Sequence, residues 1–299
     1  VSSMQKLLIK GQKELNGTIP ISGSKNATLP ILAASILTNK VILTNVPMVK
    51  DIFTMLELLK FIGLKIKVIN KKKIIEIKNI NSNINTLAPY KLVKTMRAGV
   101  LVLGPLLTKY KKAKVSLPGG CAIGTRPVNL HLFALKKLGA KIKIKDGYII
   151  AEAKKGLKGT NIRFPTISVG ATENAILAAY GSKGKTVLSN CAIEPEIKDL
   201  INFLKKLGCK ITSFGRKITI IGKSSKKENI NHKIIFDRIE GGTFLIAGAL
   251  IGRKLIIKDI EPKILKFEIN LLKRMGVKII TTKKSITILK STKLKSIGI

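Results

Sequence analysis

The sequence predicts an α/β protein assembled from repeats of a βαβαββ unit, and three observations carry that expectation. The segment L-L-K-F-I-G-L-K-I recurs as L-K-K-L-G-A-K-I, L-K-K-L-G-C-K-I and L-K-R-M-G-V-K-I, centred on Gly63, Gly139, Gly208 and Gly276. These glycines stand 76, 69 and 68 residues apart, the mark of an internal repeat. Each one ends a stretch with apolar residues at helical spacing and opens a β-branched Lys/Ile run. A helix closed by a left-handed cap therefore passes into a strand.

Taken in order, each capped helix is preceded by a second, more apolar helix rich in small residues, expected over 26–37, 95–107, 169–180 and 241–250. Between the two helices lies a short strand and turn: V-I-L-T-N-V-P, K-V-S-L-P-G-G, T-V-L-S-N-C-A and K-L-I-I-K-D-I-E-P. The unit reads helix, strand, helix, strand, strand, with one further strand before it. The first helix is apolar nearly all round and should be buried, whereas the second is amphipathic and should face solvent. The pair K-I-I-T-T-K-K-S-I-T-I-L-K closes the fourth unit, and the nine residues 291–299 are too few to begin a fifth. No Pro/Gly/Ser-rich linker divides the chain; the polar stretch 223–233 is the best candidate for a crossover between domains.

Composition narrows the function. The chain has 299 residues, enough for two domains, and its 45% hydrophobic content argues against disorder. Its longest uncharged run, 26–39, has 14 residues and contains Pro30, short of the ~18 needed to span a bilayer. The charged N-terminus lacks the apolar core of a secretion signal, so a cytoplasmic location is expected. Cys121, Cys191 and Cys209 form no C-x-x-C pair, and with His131 and His232 the only histidines, neither a disulfide framework nor a metal site is expected. The net charge of +40 invites a nucleic-acid reading. Against it, 49 of the 56 basic residues are Lys spread along the chain, aromatics are 4% and Trp is absent, so no stacking platform is visible. A basic nucleic-acid-binding protein is the weaker alternative, and no specific nucleic-acid partner is expected.

The stretch that concentrates chemistry is L-P-G-G-C-A-I-G-T-R-P-V-N-L-H, residues 117–131. Its glycines let the backbone approach a ligand closely, and a thiol beside fixed positive charge ionises readily enough to pass a proton. Arg126 offers a planar fork for phosphate or carboxylate oxygens, and Pro127 suits the first position of a helix, whose N-terminus favours anions. The same residues fit a glycine-rich turn carrying an incidental small apolar cysteine.

That loop, with I-S-G-S-K-N-A-T-L-P-I-L, Y-K-L-V-K-T-M-R-A, S-V-G-A-T-E-N, E-P-E-I-K-D and D-R-I-E-G-G-T-F, resembles the enolpyruvyl transferases along the whole chain. The cysteine places the resemblance apart from the related shikimate-pathway transferase, which shares the fold but lacks it. The resemblance implies an inside-out α/β barrel of six βαβαββ units in two domains, of which four are present here. Residues 25–233 would form a complete first domain of three units; 1–24 with 234–299 would form a partial second domain with one complete unit. It also implies an enzyme without metal or organic cofactor that moves the enolpyruvyl group of phosphoenolpyruvate to the 3'-hydroxyl of UDP-N-acetylglucosamine, releasing phosphate.

Residue by residue, the resemblance makes Cys121 the general acid that protonates the methylene carbon of phosphoenolpyruvate. Lys25 and Asn26 match the pair that contacts that substrate, and Arg97 matches a substrate-contacting arginine. Arg126 matches the arginine that clamps phosphoenolpyruvate, and Arg126, Pro127, Val128, Asn129 and Leu130 match the segment that contacts the UDP-sugar. Ser168, Val169 and Gly170 match a loop that holds the nucleotide diphosphate at a helix N-terminus. Two positions depart from the pattern: Asn129 stands where the family has Asp, and Thr166 where it often has Lys. Family members also continue past the point matching Ile299 into a T-x-P-x-P-x-F-P-T-D segment, whose Asp is assigned as the base for the sugar hydroxyl, and two further units. The expectation is therefore a C-terminally truncated homologue, with an inactive UDP-sugar-binding remnant as the alternative.

Overall fold

The computed structural model describes residues 8, 10–11, 14–80, 84–119, 128–223, 229–291 and 293–298. Two compact units divide the chain: a larger one, Gly23–Ile235, and a smaller one, Val1–Ser22 with Phe236–Ile299. In chain order the elements begin with β1 (Leu15–Pro20), α1 (Lys25–Ala34), β2 (Lys40–Thr44), α2 (Lys50–Ile62), β3 (Lys65–Ile69) and β4 (Ile74–Lys78). There follow β5 (Leu87–Ala88), α3 (Tyr90–Val93), α4 (Leu103–Tyr110), β6 (Lys112–Ser116), α5 (Asn129–Lys137), β7 (Lys141–Lys145) and β8 (Tyr148–Glu152). The third stretch holds β9 (Asn161–Arg163), α6 (Val169–Ala179), β10 (Lys185–Ser189), α7 (Pro195–Lys206), β11 (Cys209–Phe214), β12 (Lys217–Lys223) and β13 (Asn229–Lys233). The last holds α8 (Arg238–Ile251), β14 (Gly252–Lys258), α9 (Lys266–Arg274), β15 (Lys278–Thr281) and β16 (Ser285–Leu289).

Four sheets of four strands repeat one topology among the described residues: β13-β2-β4-β3, β5-β6-β8-β7, β9-β10-β12-β11 and β1-β14-β16-β15. In each, the first strand runs parallel to the second and the remaining pairs are antiparallel. For the second and third units the extra strand is the one that precedes the unit, β5 and β9, whereas the first and fourth exchange theirs: β1, ahead of α1, pairs with β14, and β13, ahead of α8, pairs with β2. That of the first unit thus comes from the far end of the larger unit: β13 lies inside the polar stretch 223–233 that the sequence suggests as a crossover. Its residues Ile230 and His232 are buried and its Asn and Lys residues exposed, a period of two too short and too polar to be conspicuous in sequence.

All four repeat glycines, Gly63, Gly139, Gly208 and Gly276, hold positive φ. After three of them the chain closes with the paired bonds of a Schellman cap, for instance Leu64 N–H to the Leu59 carbonyl at 3.0 Å and Gly63 N–H to the Lys60 carbonyl at 2.9 Å. A second recurrence lies at the end of the inner strand. Asn45, Asn190 and Asp259, which follow β2, β10 and β14, are left-handed, a conformation short polar side chains tolerate. The next residue in each case donates back to the turn of its own sheet: Val46 to Lys73, Cys191 to Arg216, Ile260 to Lys284. After β6 the left-handed residue is missing, and Leu117 itself makes the equivalent bond to Gly147 at 2.9 Å.

The larger unit is built helices-inward. α1, α4 and α6 are buried almost throughout and pack on one another or on the 3-10 turn Arg97–Val102, while the strands place Lys on the outer face. The helix expected over 95–107 is split: 97–102 is 3-10 and α4 begins at Leu103, because Gly99 and two valines are poor α formers. The smaller unit has its own core around Leu245, Leu255, Ile257, Leu265 and Ile288. There the expectation of a fully buried apolar helix fails. α8 starts earlier than 241, capped by Asp237, whose carboxylate accepts from Ile239 and Glu240, and it buries Gly241, Leu245, Gly248 and Ala249. Ile239, Ile246, Leu250 and Ile251 stay exposed, since among the described residues this unit contains a single helix of that class. No helix among the described residues is long and apolar enough to cross a membrane.

Candidate active site

The first turn of α1 is set by Ser24, whose hydroxyl accepts from Ala27 N–H at 3.2 Å. This places Lys25 and Asn26 at a helix start, both reaching solvent. Lys25 Nζ lies 2.9 Å from Asp51 Oδ2, at the start of α2, with both side chains roughly 40% exposed (43% and 37%). A pair so open to water is worth at most ~1 kcal/mol, so the ammonium can be recruited by a more highly charged ligand.

Arg97 opens the 3-10 turn that leads into α4, and Ser168 opens α6. The Ser168 hydroxyl accepts from Ala171 N–H at 3.3 Å, and its carbonyl takes the Thr172 hydroxyl at 2.8 Å. Gly104 N–H donates to Asn174 Oδ1 at 2.8 Å, Asn174 Nδ2 donates to the Val100 carbonyl at 3.1 Å, and the Thr108 hydroxyl donates to the Ala178 carbonyl at 3.0 Å. The partners advance together along both segments, so the two run in the same direction, and Arg97 and the Ser168–Gly170 turn stand at the same end.

His131 joins them. Its ring is 2% exposed, and Nδ1 lies 3.2 Å from Asn174 Nδ2. Burial and then the neighbouring Arg97 charge push its pKa down to about 4, so the ring is neutral at physiological pH. Val128 caps the start of α5 and is buried; Asn129 is exposed and Leu130 half-buried. Thr166 is exposed in the approach to α6. One turn beyond Gly170, Glu173 is buried, and burial together with the charges of Glu196 and Glu194 holds its carboxyl well above the usual carboxylate range.

The structure therefore brings together Arg97, Gly170 and the start of α5, through His131. Lys25 pairs with Asp51. Cys121, Arg126 and Pro127 lie outside the described residues. Sequence reasoning quoted His131 within the loop motif without giving it a role, and it missed Glu173; a histidine two residues into an apolar helix carries no local sign that an arginine will face it. Cys191 and Cys209 are buried thiols pushed up to about 12, unreactive at neutral pH. Among the described residues no group of His, Cys, Asp and Glu is arranged to hold a metal ion.

Against known proteins, residues 9–299 match the family model described as EPSP synthase (3-phosphoshikimate 1-carboxyvinyltransferase). A protein of Pelagibacter ubique strain HTCC1062 named UDP-N-acetylglucosamine 1-carboxyvinyltransferase is 58% identical over 298 residues, covering 99% of this chain and 70% of that protein. One of the same name from Rickettsia prowazekii is 49% identical over 99% of this chain and 71% of its own length. Among solved structures, the enolpyruvyl transferase NikO from Streptomyces tendae superposes with a TM-score of 0.81 at 21% identity, over 94% of this chain and 67% of that one. EPSP synthase from Acinetobacter baumannii gives 0.72 at 18% identity, over 96% and 67%, a likeness of fold.

Proposed function

Because the chain belongs to the EPSP synthase family of enolpyruvyl transferases, we propose that it transfers the enolpyruvyl group of phosphoenolpyruvate to the 3'-hydroxyl of UDP-N-acetylglucosamine. The single observation that carries this is the 58% identity, along 99% of the chain, to a relative named for that reaction. The product, a UDP-sugar enol ether, opens peptidoglycan synthesis, and the charged substrates assign the reaction to the cytoplasm.

In this reading the sugar oxygen adds to C2 of phosphoenolpyruvate, its hydroxyl proton passing to solvent, while the Cys121 thiol gives its proton to C3, forming a tetrahedral phosphorylated adduct and a thiolate. The thiolate then takes a proton back from C3 as the C2–O bond to phosphate breaks, which restores the double bond and the thiol and releases phosphate. Lys25 and Arg126 hold the phosphate and carboxylate, whose charge must be balanced as the adduct forms and collapses. The pair with Asp51 is solvent-exposed and weak, so it opposes that role little. Arg97 adds positive charge at the end of the helices where the Ser168–Gly170 turn presents backbone N–H groups, which suits a diphosphate. Val128, Asn129 and Leu130, at the start of α5, complete the surface for the nucleotide. An amide at 129 accepts through its oxygen where a carboxylate would accept more strongly.

Incubation with both substrates, followed by mass spectrometry, tests the proposal. The expected product is heavier than UDP-N-acetylglucosamine by one enolpyruvyl group and appears only when both substrates are present. Consumption of phosphoenolpyruvate without that product would remove the reading.

A further inference from the structure

His131 has no part in the chemistry described so far, yet its surroundings are unusually constrained. It is the third residue of α5, and its ring is buried between the starts of two other segments. The amide of Asn174 is oriented from outside, since Gly104 N–H occupies its oxygen and the Val100 carbonyl takes a proton from its nitrogen. Its NH2 group must therefore face Nδ1 of His131, 3.2 Å away. Nδ1 accepts, so the proton of the neutral ring sits on Nε2. The adjoining edge of the ring, Cε1 and Nε2, bears on Gly170: a methyl group at that position would stand 3.0 Å from Cε1 and 3.2 Å from Nε2, and beyond its own helix these are the atoms it would meet within 4 Å among the described residues.

The absence of a side chain at 170 is thus explained by the imidazole. Gly170 has no positive φ, so backbone freedom is not what glycine supplies here. One ring is held on one edge by a fixed amide and on the other presses the first turn of α6, the turn with N–H groups free of helical partners.

We infer that His131 is a positioning residue for nucleotide binding: clamped by Asn174, its neutral ring fixes Gly170 and thereby the height at which the first turn of α6 offers its N–H groups to the diphosphate of the UDP-sugar. This rests on the proposed function in assigning the 168–170 turn to the diphosphate. The proposed function gives His131 no role at the donor or the reacting carbons, so its removal is expected to affect the acceptor sugar and not phosphoenolpyruvate.

The test is a double-mutant cycle on the full chain, with UDP-N-acetylglucosamine binding read by calorimetry and KM values read from product formation. His131→Asn keeps an acceptor for Asn174 but removes the edge that meets Gly170; Gly170→Ala drives a methyl into that edge. Each single change is expected to weaken UDP-N-acetylglucosamine binding about tenfold, and in His131→Asn the KM for phosphoenolpyruvate is expected to stay within about twofold of wild type. In the double variant the methyl occupies space the smaller Asn has vacated, so the loss falls well short of the product of the two single losses. Melting curves identify a variant that fails to fold. If His131→Asn does, Gly170→Ala alone decides, because an unchanged affinity there contradicts a ring that fixes the turn. Wild-type affinity in His131→Asn, or losses that simply multiply, overturns the inference. Absence of binding by the wild-type chain overturns instead the function on which it rests.

Discussion

His131 and Glu173 are titratable groups on neighbouring elements whose charged forms burial disfavours, and their effects on stability run in opposite directions. The His131 imidazole titrates near 6.5 when unfolded and at about 4 when folded, so the unfolded chain binds more protons between those values. Its contribution to stability is complete above pH 6.5 and is lost as the pH falls toward 4, a change of roughly 3 kcal/mol. Glu173, with its folded pKa raised, weakens the fold progressively as the pH rises above its ordinary 4.5. The readout is therefore a difference: denaturant titrations of wild type and His131→Gln at pH 7 and pH 4 should show the gap between them shrinking by about 3 kcal/mol at the lower pH. A gap independent of pH contradicts a neutral buried ring. A separate pair, His232 Nε2 and Asp199 Oδ1 at 3.0 Å, is 4% exposed on both sides, and Asp199 Oδ2 also accepts from Ile235 N–H at 3.3 Å. Asp199→Ala leaves the buried His232 and the half-buried Ile235 N–H without their acceptor and should cost about 3–5 kcal/mol, seen as a lowered melting temperature, whereas Asp199→Asn keeps an acceptor oxygen and should cost less.

The elements show what patterning reveals and what it conceals. The four capped helices were legible because one glycine carries a distinct physical demand, positive φ, at a fixed place in each repeat. Gly139 has φ of 97° with nothing within 4 Å of where a Cβ would stand, so Gly139→Ala should cost about 1–2 kcal/mol from backbone strain alone, measured as a shift in the urea midpoint. A cost near zero would mean that the cap is not confined to the left-handed region. β13 was illegible because two buried side chains among Asn and Lys make no pattern until β2 supplies a partner for them. The exposed face of α8 was illegible for a related reason: burial of an apolar helix is decided by which sister helices surround it, and among the described residues α1, α4 and α6 have them while α8 does not. Of the candidate site, Lys25 and Ser168 were readable as helix starts, but the meeting of His131, Arg97 and Gly170 joins three separate segments, and nothing local in any of them announces the others.

At the scale of the whole molecule, a lysine-rich surface overlies a conventional repeat fold. The net charge of +40 is carried in part by strands whose Lys side chains face outward, as in the exposed Lys141, Lys143 and Lys145 of β7. Such a surface binds polyanions by counterion release, without an arrangement for reading bases. Retention on immobilised heteroduplex or random-sequence DNA should consequently fall by at least ~10³-fold between 50 and 200 mM salt and show no sequence preference. Binding that persists at the higher salt with preference for one sequence would revive a nucleic-acid role. The central claim, that this fold serves enolpyruvyl transfer with Cys121 as the proton donor, is tested most directly by phosphate release. With phosphoenolpyruvate and UDP-N-acetylglucosamine, release should depend on the sugar nucleotide and drop by ~10²-fold or more in Cys121→Ala. Release at equal rates in the two proteins, or without the sugar nucleotide, would contradict it.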